Sequence, residues 1–257
     1  MGTRLANKVA IVTGGGSGLG REVARLMAGE GAAVLVFDLN GEAAATVAEE
    51  IAADGGTALA HTGNVTVAGD FDAAISRARD ELGGFHIIHN NAGVQLEKPL
   101  HETSEEEFDW VTDVNLKGVF LGCRAAILAF RGNGGGAIVN TASILAHTGD
   151  PFLPAYTATK TGVLGLTRAI AVDYAKDGIR ANCVSPGDME TPMIAKYFAA
   201  TEDPAAARAE MEGSYPGKRI AHPREVAQAV LFLASDEASF VNGEFILVDG
   251  GLTASTY

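Results

Sequence analysis

Two cysteines in 257 residues, Cys123 and Cys183, form neither a CxxC pair nor a disulfide framework. Both lie in apolar stretches and read as buried thiols. The six histidines, His61, His86, His89, His101, His147 and His222, show no HxxxH spacing and no grouping with cysteine, so no metal site is expected. Positive charge is scarce as well. Nineteen Lys and Arg against 32 Asp and Glu leave a formal net charge of −13, which argues against a phosphate-binding surface of clustered cations. No apolar run reaches the roughly 18 residues that span a bilayer. The start, Met1-Gly2-Thr3-Arg4-Leu5-Ala6-Asn7-Lys8, lacks the apolar core of a secretory leader. These absences predict a cytoplasmic protein with no nucleic-acid or membrane partner.

What is present is apolar material, 47% of the chain, and 32 glycines, enough for a large core with many tight turns. Short β-rich runs recur at Val9–Val12, Ala33–Phe37, Phe85–Ile88, Ala137–Val139, Arg180–Val184 and Phe245–Val248, with a weaker one at Thr57–Ala60. Segments of helical periodicity lie between them, including Arg21–Glu30, Glu42–Ala53 and Phe71–Leu82. Strands apolar on both faces, alternating with helices, predict an α/β fold: a doubly wound, Rossmann-type parallel sheet with helices on both faces. No linker or internal repeat divides residues 1–257, so one catalytic domain is expected. The stretch 188–218, helical and Met- and Ala-containing, is too long for an ordinary connection and reads as a lid.

Directly after the first strand stands Thr13-Gly14-Gly15-Gly16-Ser17-Gly18-Leu19-Gly20. Glycine serves where backbone turns with positive φ and where a pyrophosphate approaches a helix N-terminus. The spacing is GxxxGxG, so the commoner GxGxxG fingerprint is not met, and a glycine turn that only packs helix on strand is the alternative. Asp38 ends the second strand, 18 positions beyond Gly20. A carboxylate there can accept hydrogen bonds from the ribose hydroxyls of NAD and would repel the 2′-phosphate of NADP. Its alternative role is to cap the helix from Gly41. Asn90-Asn91-Ala92-Gly93 closes the fourth strand with a tight turn suited to the cofactor's adenine-ribose half.

Tyr156 and Lys160 stand four apart in a helical stretch and so share a face. An ammonium beside a phenol favours phenolate, which predicts a tyrosine lowered towards neutral pH and usable as a proton acceptor. Ser143 lies just beyond the strand ending near Thr141, where ligands of parallel sheets bind. Asn115, amid Val114, Leu116 and Val119, needs a partner if buried.

Taken in order, Thr13–Gly20, Asn90–Gly93, Asn115, Ser143, Tyr156 with Lys160, Pro186-Gly187 with Thr191, and Val248-Asp249-Gly250-Gly251 resemble the classical short-chain dehydrogenase/reductase family over nearly the whole chain. The resemblance implies that Tyr156 is the general acid/base and that Ser143 hydrogen-bonds the substrate oxygen. Lys160 would hold the nicotinamide ribose, and Asn115 would position a water in a proton relay. Gly14, Ser17, Gly18, Leu19, Gly20, Asp38, Asn91, Ala92 and Gly93 would bind NAD, with Pro186, Gly187 and Thr191 along its nicotinamide and pyrophosphate side. Asn64-Val65 stands where many members carry an aspartate that meets the adenine amino group; the amide oxygen of Asn64 is expected to accept in its place. The resemblance also implies a homotetramer pairing helices at Asn115–Phe130 and Ala155–Lys176. Ile144, Leu145, Phe152, Leu153, Met189, Met193, Ile194, Tyr197 and Phe198 would line a mostly apolar pocket for a small hydrophobic or cyclic secondary alcohol or its ketone. Alternatives are a 3-oxoacyl-thioester ketoreductase and an NAD-binding sensor without turnover.

Overall fold

The computed structural model describes residues 2–255. Seven strands, β1 (Val9–Thr13), β2 (Ala33–Asp38), β3 (Thr57–Thr62), β4 (Ile87–Asn90), β5 (Gly136–Thr141), β6 (Ile179–Pro186) and β7 (Phe245–Val248), form one sheet in the order β3-β2-β1-β4-β5-β6-β7. Every pairing is parallel. All of β1 is buried, as befits the middle of a sheet covered on both sides. The chain winds outward in one direction from β1 to β3 and in the other from β4 to β7, so a crevice opens beyond the carboxyl ends of β1 and β4.

The helices are α1 (Gly18–Gly29), α2 (Gly41–Ala53), α3 (Ala68–Leu82), α4 (Glu105–Thr112), α5 (Gly118–Phe130), α6 (Pro154–Tyr174), α7 (Pro192–Ala200), α8 (Pro204–Ser214) and α9 (Pro223–Ala234). One apolar layer joins the sheet to α3, α5 and α6 through Phe71, Ile75, Val119, Phe130, Val163 and Ile170. The other joins it to α1, α2 and α9 through Val23, Met27, Val47, Ile51, Val230 and Leu231. The doubly wound α/β expectation is met.

Boundaries differ from the sequence reading in instructive places. The weak run at Thr57 is a full strand, because β2 supplies a complete parallel register from Ala33↔Thr57 to Asp38↔Thr62. Helix α1 begins at Gly18, inside the glycine segment. Asn40, not Asp38, caps α2, its side chain accepting from Glu42 N and Ala43 N at 3.1 Å each. Between β6 and α9 lies the helical insertion carrying α7 and α8. Its base is pinned by main-chain bonds, Glu190 N to Ala221 O and Ala221 N to Asp188 O, both 2.9 Å. Among the described residues no helix is long and apolar enough to cross a membrane.

Candidate active site

The crevice is a cavity of about 510 Å³. At one end the glycine loop makes its floor. Gly14 has φ +62°, and a Cβ there would stand 2.9 Å from the Cα of Ala92, so this turn brings the loop against the end of β4 only without a side chain. A Cβ on Gly20 would lie 2.1 Å from Gly14 O, which makes its role helix-to-loop packing. Thr13 Oγ1 accepts from Asn91 N at 2.9 Å and Ala92 N at 3.2 Å, and Asn91 Nδ2 donates to Thr13 O at 3.1 Å. The ends of β1 and β4 are thereby joined. Asp38 Oδ2 accepts from Gly16 N and Oδ1 from Asn40 N, each at 2.9 Å. Each carboxylate oxygen keeps capacity for a further donor. The nearby Arg21 is engaged by Glu22 and Glu50.

Of the residues expected at the cofactor, Gly14, Ser17, Gly18, Leu19, Asp38, Asn64, Val65, Asn91, Ala92, Gly93, Tyr156, Lys160 and Thr191 line this cavity. Gly20 stands behind the loop. Pro186 and Gly187 lie deeper, with Gly187 N donating to Val248 O at 3.1 Å. For Asn64 the expectation needs correction: its Oδ1 already accepts from Thr66 N at 3.0 Å and Thr66 Oγ1 at 2.9 Å. Both lone pairs of that oxygen are taken, so it does not offer itself to an adenine amino group.

At the other end, Ser143 follows β5, where its hydroxyl caps a short 3₁₀ turn by accepting from Leu145 N at 3.2 Å. Tyr156, in the first turn of α6, is near enough to Ser143 for the serine hydroxyl to favour its ionised form. Lys160, one turn on, is buried; its ammonium donates to Thr141 O at 2.9 Å and sits 5.5 Å from the centre of the Tyr156 ring. A buried imidazole backs this contact: His89 Nε2 lies 2.9 Å from Thr141 Oγ1, and burial holds His89 down to about 3, hence neutral. Tyr156 and Lys160 share a face of α6 with Ser143 beside the tyrosine, but the titration does not follow the expectation. Burial pushes Tyr156 up to about 12, opposed by the Ser143 hydroxyl and helped by Asp188. Lys160 is pulled down to about 8, again by burial. Desolvation is the largest influence on the phenol, so in this structure it is not lowered towards neutral pH.

Asn115 is fully buried in a π-helical turn, Asp113–Lys117, between α4 and α5. Its Oδ1 accepts from Val94 N and its Nδ2 donates to Val94 O, both at 2.8 Å, with a longer bond to Thr159 Oγ1 at 3.4 Å. The wide turn swings the amide inward to hold the irregular segment that follows Gly93. Of the expected pocket residues, Met189 and Met193 line the cavity, while Ile144, Leu145 and Leu153 pack as a small cluster against Tyr156. Phe198 is buried against Tyr197, and Phe152 is largely exposed. Sequence reasoning missed Phe37, Leu39, Gly63, Val94, Trp110, Val114, Thr141 and Pro192, which complete the lining. Trp110, on the helix before Asn115, carried the one readable signal, an aromatic on a short amphipathic segment.

A parallel sheet with a glycine-floored crevice, and a half-buried tyrosine between a buried serine and a buried lysine beside it, defines an oxidoreductase built on a nucleotide-binding sheet. A family model described as Enoyl-(Acyl carrier protein) reductase matches residues 14–253. Similar curated proteins include Cyclohexanol dehydrogenase of Acinetobacter sp., 44% identical over 99% of this chain and 98% of that one. Cyclopentanol dehydrogenase of Comamonas sp. is 42% identical over 98% and 99%. A crystal structure of a short-chain dehydrogenase/reductase from Burkholderia xenovorans superposes with a TM-score of 0.95 at 32% identity, covering 99% of this chain and all of that one. The chain belongs to the short-chain dehydrogenase/reductase family.

Proposed function

We propose that the protein is an NAD-dependent dehydrogenase of small cyclic secondary alcohols, working reversibly on the corresponding ketones. The observation that carries this reading is one cavity lined by Asp38 and by Tyr156 and Lys160, with Ser143 beside the tyrosine. The relatives named for ring alcohols, including Cis-4-hydroxycyclohexanecarboxylate dehydrogenase of Sinomonas cyclohexanicum at 43% identity, support the substrate class. The apolar lining by Val94, Trp110, Val114, Met189 and Met193 suits a hydrocarbon ring.

The residues present fit a dinucleotide: the glycine loop leaves room for a pyrophosphate at the start of α1, and Asp38 has acceptor capacity for ribose hydroxyls. Bound NAD would supply the hydride acceptor. In this reading Gly14, Ser17, Gly18 and Leu19 hold the pyrophosphate, with Gly20 shaping their loop. Asp38, Val65 and Asn91–Gly93 hold the adenosine half, Asn64 serving through its turn rather than its amide oxygen. Lys160, Pro186, Gly187 and Thr191 hold the nicotinamide half. Ser143 donates to the substrate oxygen, Tyr156 takes or returns the hydroxyl proton, and Asn115 fixes the backbone around a relay water. With its phenol held neutral by burial, Tyr156 is set to act as the acid in ketone reduction near neutral pH, and oxidation should rise with alkali.

The whole span 1–257 acts as one catalytic domain, with 188–218 as its lid. We read the assembly as a homotetramer, because Phe120 and Leu128 on α5, Val172 on α6, and Phe240 and Leu247 around β7 are exposed apolar groups. Absorbance at 340 nm, where reduced nicotinamide absorbs, with cyclohexanol or cyclopentanol and either NAD or NADP, tests the activity and the cofactor together. Activity with NADPH on a 3-oxoacyl thioester but not on ring ketones would favour the acyl reading suggested by the family model's description.

A further inference from the structure

Thr141 is the last residue of β5 and lines the cavity along with Tyr156 and Lys160. Its carbonyl is occupied, accepting from the Lys160 ammonium at 2.9 Å. Its hydroxyl lies 2.9 Å from Nε2 of His89 on the neighbouring strand. The sheet dictates this meeting. Val12, His89 and Val139 stand abreast across β1, β4 and β5, so their side chains share the face that Val12 and Val139 pack towards α1, α2 and α9. Thr141, two residues beyond Val139, returns to that face at the end of the strand. The imidazole is fully buried in an apolar layer, and the Thr141 hydroxyl is its one side-chain partner among the described residues.

The rest of the ring decides which atom of this pair donates. Burial, helped by the Lys160 ammonium, keeps His89 neutral, so the ring carries a single N–H. Its Nδ1 is sealed in the core with no hydrogen-bond partner. A proton there would be a buried N–H without an acceptor. A proton on Nε2 leaves only a bare lone pair at Nδ1, and an under-satisfied acceptor is the more tolerable of the two. The N–H therefore sits on Nε2 and donates to Thr141 Oγ1. Having accepted, the hydroxyl keeps its own proton to give, and among the described residues nothing else takes it.

We infer that Thr141 is a further cofactor-binding residue, its hydroxyl set by His89 to donate to an acceptor oxygen on the nicotinamide half of the dinucleotide. The inference rests on the NAD reading above, which puts that half beside Lys160. A free hydroxyl rotor accepts as readily as it donates. Once a buried N–H occupies the oxygen from the core side, the hydroxyl faces a ligand as a donor. His89 is the positioning residue in this pair and acts through Thr141.

The test measures binding to the full-length protein, NADH by fluorescence titration and ADP by calorimetry, for the wild type, Thr141→Val, Thr141→Ser, His89→Leu and the double variant His89→Leu/Thr141→Val. Thr141→Val keeps the side chain's shape and the carbonyl that holds Lys160, and loses the hydroxyl alone. Its Kd for NADH should rise roughly three- to tenfold, the range of one neutral hydrogen bond. ADP, which lacks the nicotinamide half, should bind as to the wild type. Thr141→Ser restores the donor and should stay within about twofold of the wild type for NADH. His89→Leu frees the rotor and should weaken NADH by roughly two- to threefold, again sparing ADP. Because His89 acts through Thr141, the double variant should bind NADH no more weakly than Thr141→Val. It also leaves neither partner buried alone, so it decides where Thr141→Val fails to fold. Unchanged NADH affinity in the variants lacking the hydroxyl, an equal loss for ADP, or additive losses in the double variant overturns the inference and leaves the NAD reading intact. Failure of the wild type to bind NADH overturns both.

Discussion

The two ends of the cavity are built from different materials. The cofactor end is mostly backbone: positive-φ glycines, the Thr13 hydroxyl under Asn91 and Ala92, and a carboxylate fixed by Gly16 and Asn40 N–H groups. The substrate end is side chains gathered from α4, the loop after β5, the start of α6 and the α7–α8 insertion, with Ile144, Leu145 and Leu153 as a small buried apolar cluster beside Tyr156. Main-chain hydrogen bonds around tight turns give a rigid, generic cradle for a ligand of fixed shape. A pocket of separately anchored side chains can change its lining without disturbing the sheet. The comparison teaches that a generic cradle is built from the stiff side, while the reactive side chains and the apolar lining come from the adaptable one.

Breaking the junction between the two ends should have the largest effect. Tyr156→Phe keeps the ring and removes the proton-transferring oxygen, so turnover should drop by roughly 10²–10⁴ while NADH still binds. Steady-state rates beside NADH fluorescence titration separate the two, and near-normal turnover would end the proposed role. In the wild type, oxidation should climb through alkaline pH, because burial holds the tyrosine proton until about 12.

Next in size is cofactor choice. Asp38→Ser removes the carboxylate from beside a 2′-phosphate, and the ratio of NAD to NADP efficiency should fall by roughly ten- to a thousandfold. An unchanged ratio would mean that Asp38 does not select.

A third change sets stability against function. Below pH 8 the fold holds Lys160 as a buried ammonium, at a cost relative to the unfolded chain, where the same group titrates near 10.5. Burial lowers this base, so the unfolded chain binds more protons between about 8 and 10.5, and stability should rise with pH across that window. Tyr156, held up to about 12 against an ordinary 10, acts in the opposite sense at pH 10–12, where stability should fall. Lys160→Met should therefore be more stable than the wild type at pH 7 by up to about 3 kcal/mol, and the gap should close above pH 8 as activity is lost. Thermal melts at pH 7 and 9 check this, and a Lys160→Met protein less stable at both would refute it.

The smallest effect belongs to the adaptable side. Met193 is 41% exposed and touches the cavity from the lid. Met193→Ala should shift stability by under about 0.5 kcal/mol while raising KM for ring alcohols several-fold and sparing KM for NAD. A loss of several degrees in melting temperature would show that the lid is part of the core.

Seen against these regions, the legible parts of the sequence were those whose meaning is local. The glycine loop and the four-residue step from Tyr156 to Lys160 declare themselves because turn geometry and helical periodicity act within a few residues. Thr57–Thr62 read weakly because its strand character comes from pairing with β2. Leu39, Trp110 and Thr141 were overlooked because a crevice at a sheet's topological switch is lined by residues far apart in the chain. Asn64 was misread because Thr66, two residues on, takes up its oxygen through local turn bonds.

By itself the sequence determined the alternation of strand and helix, the glycine turn, the carboxylate ending β2, and the identities of the serine, tyrosine and lysine. Each depends on backbone preferences or on spacing along one element. Only the tertiary structure decided the π-helical turn that brings Asn115 inward, the Tyr215–Asp188 hydrogen bonds across the base of the α7–α8 insertion, and the protonation of Tyr156 and Lys160. A pKa is set by how much water the surrounding fold removes and which distant charges it brings close, and burial there overrides the neighbour that spacing alone supplies.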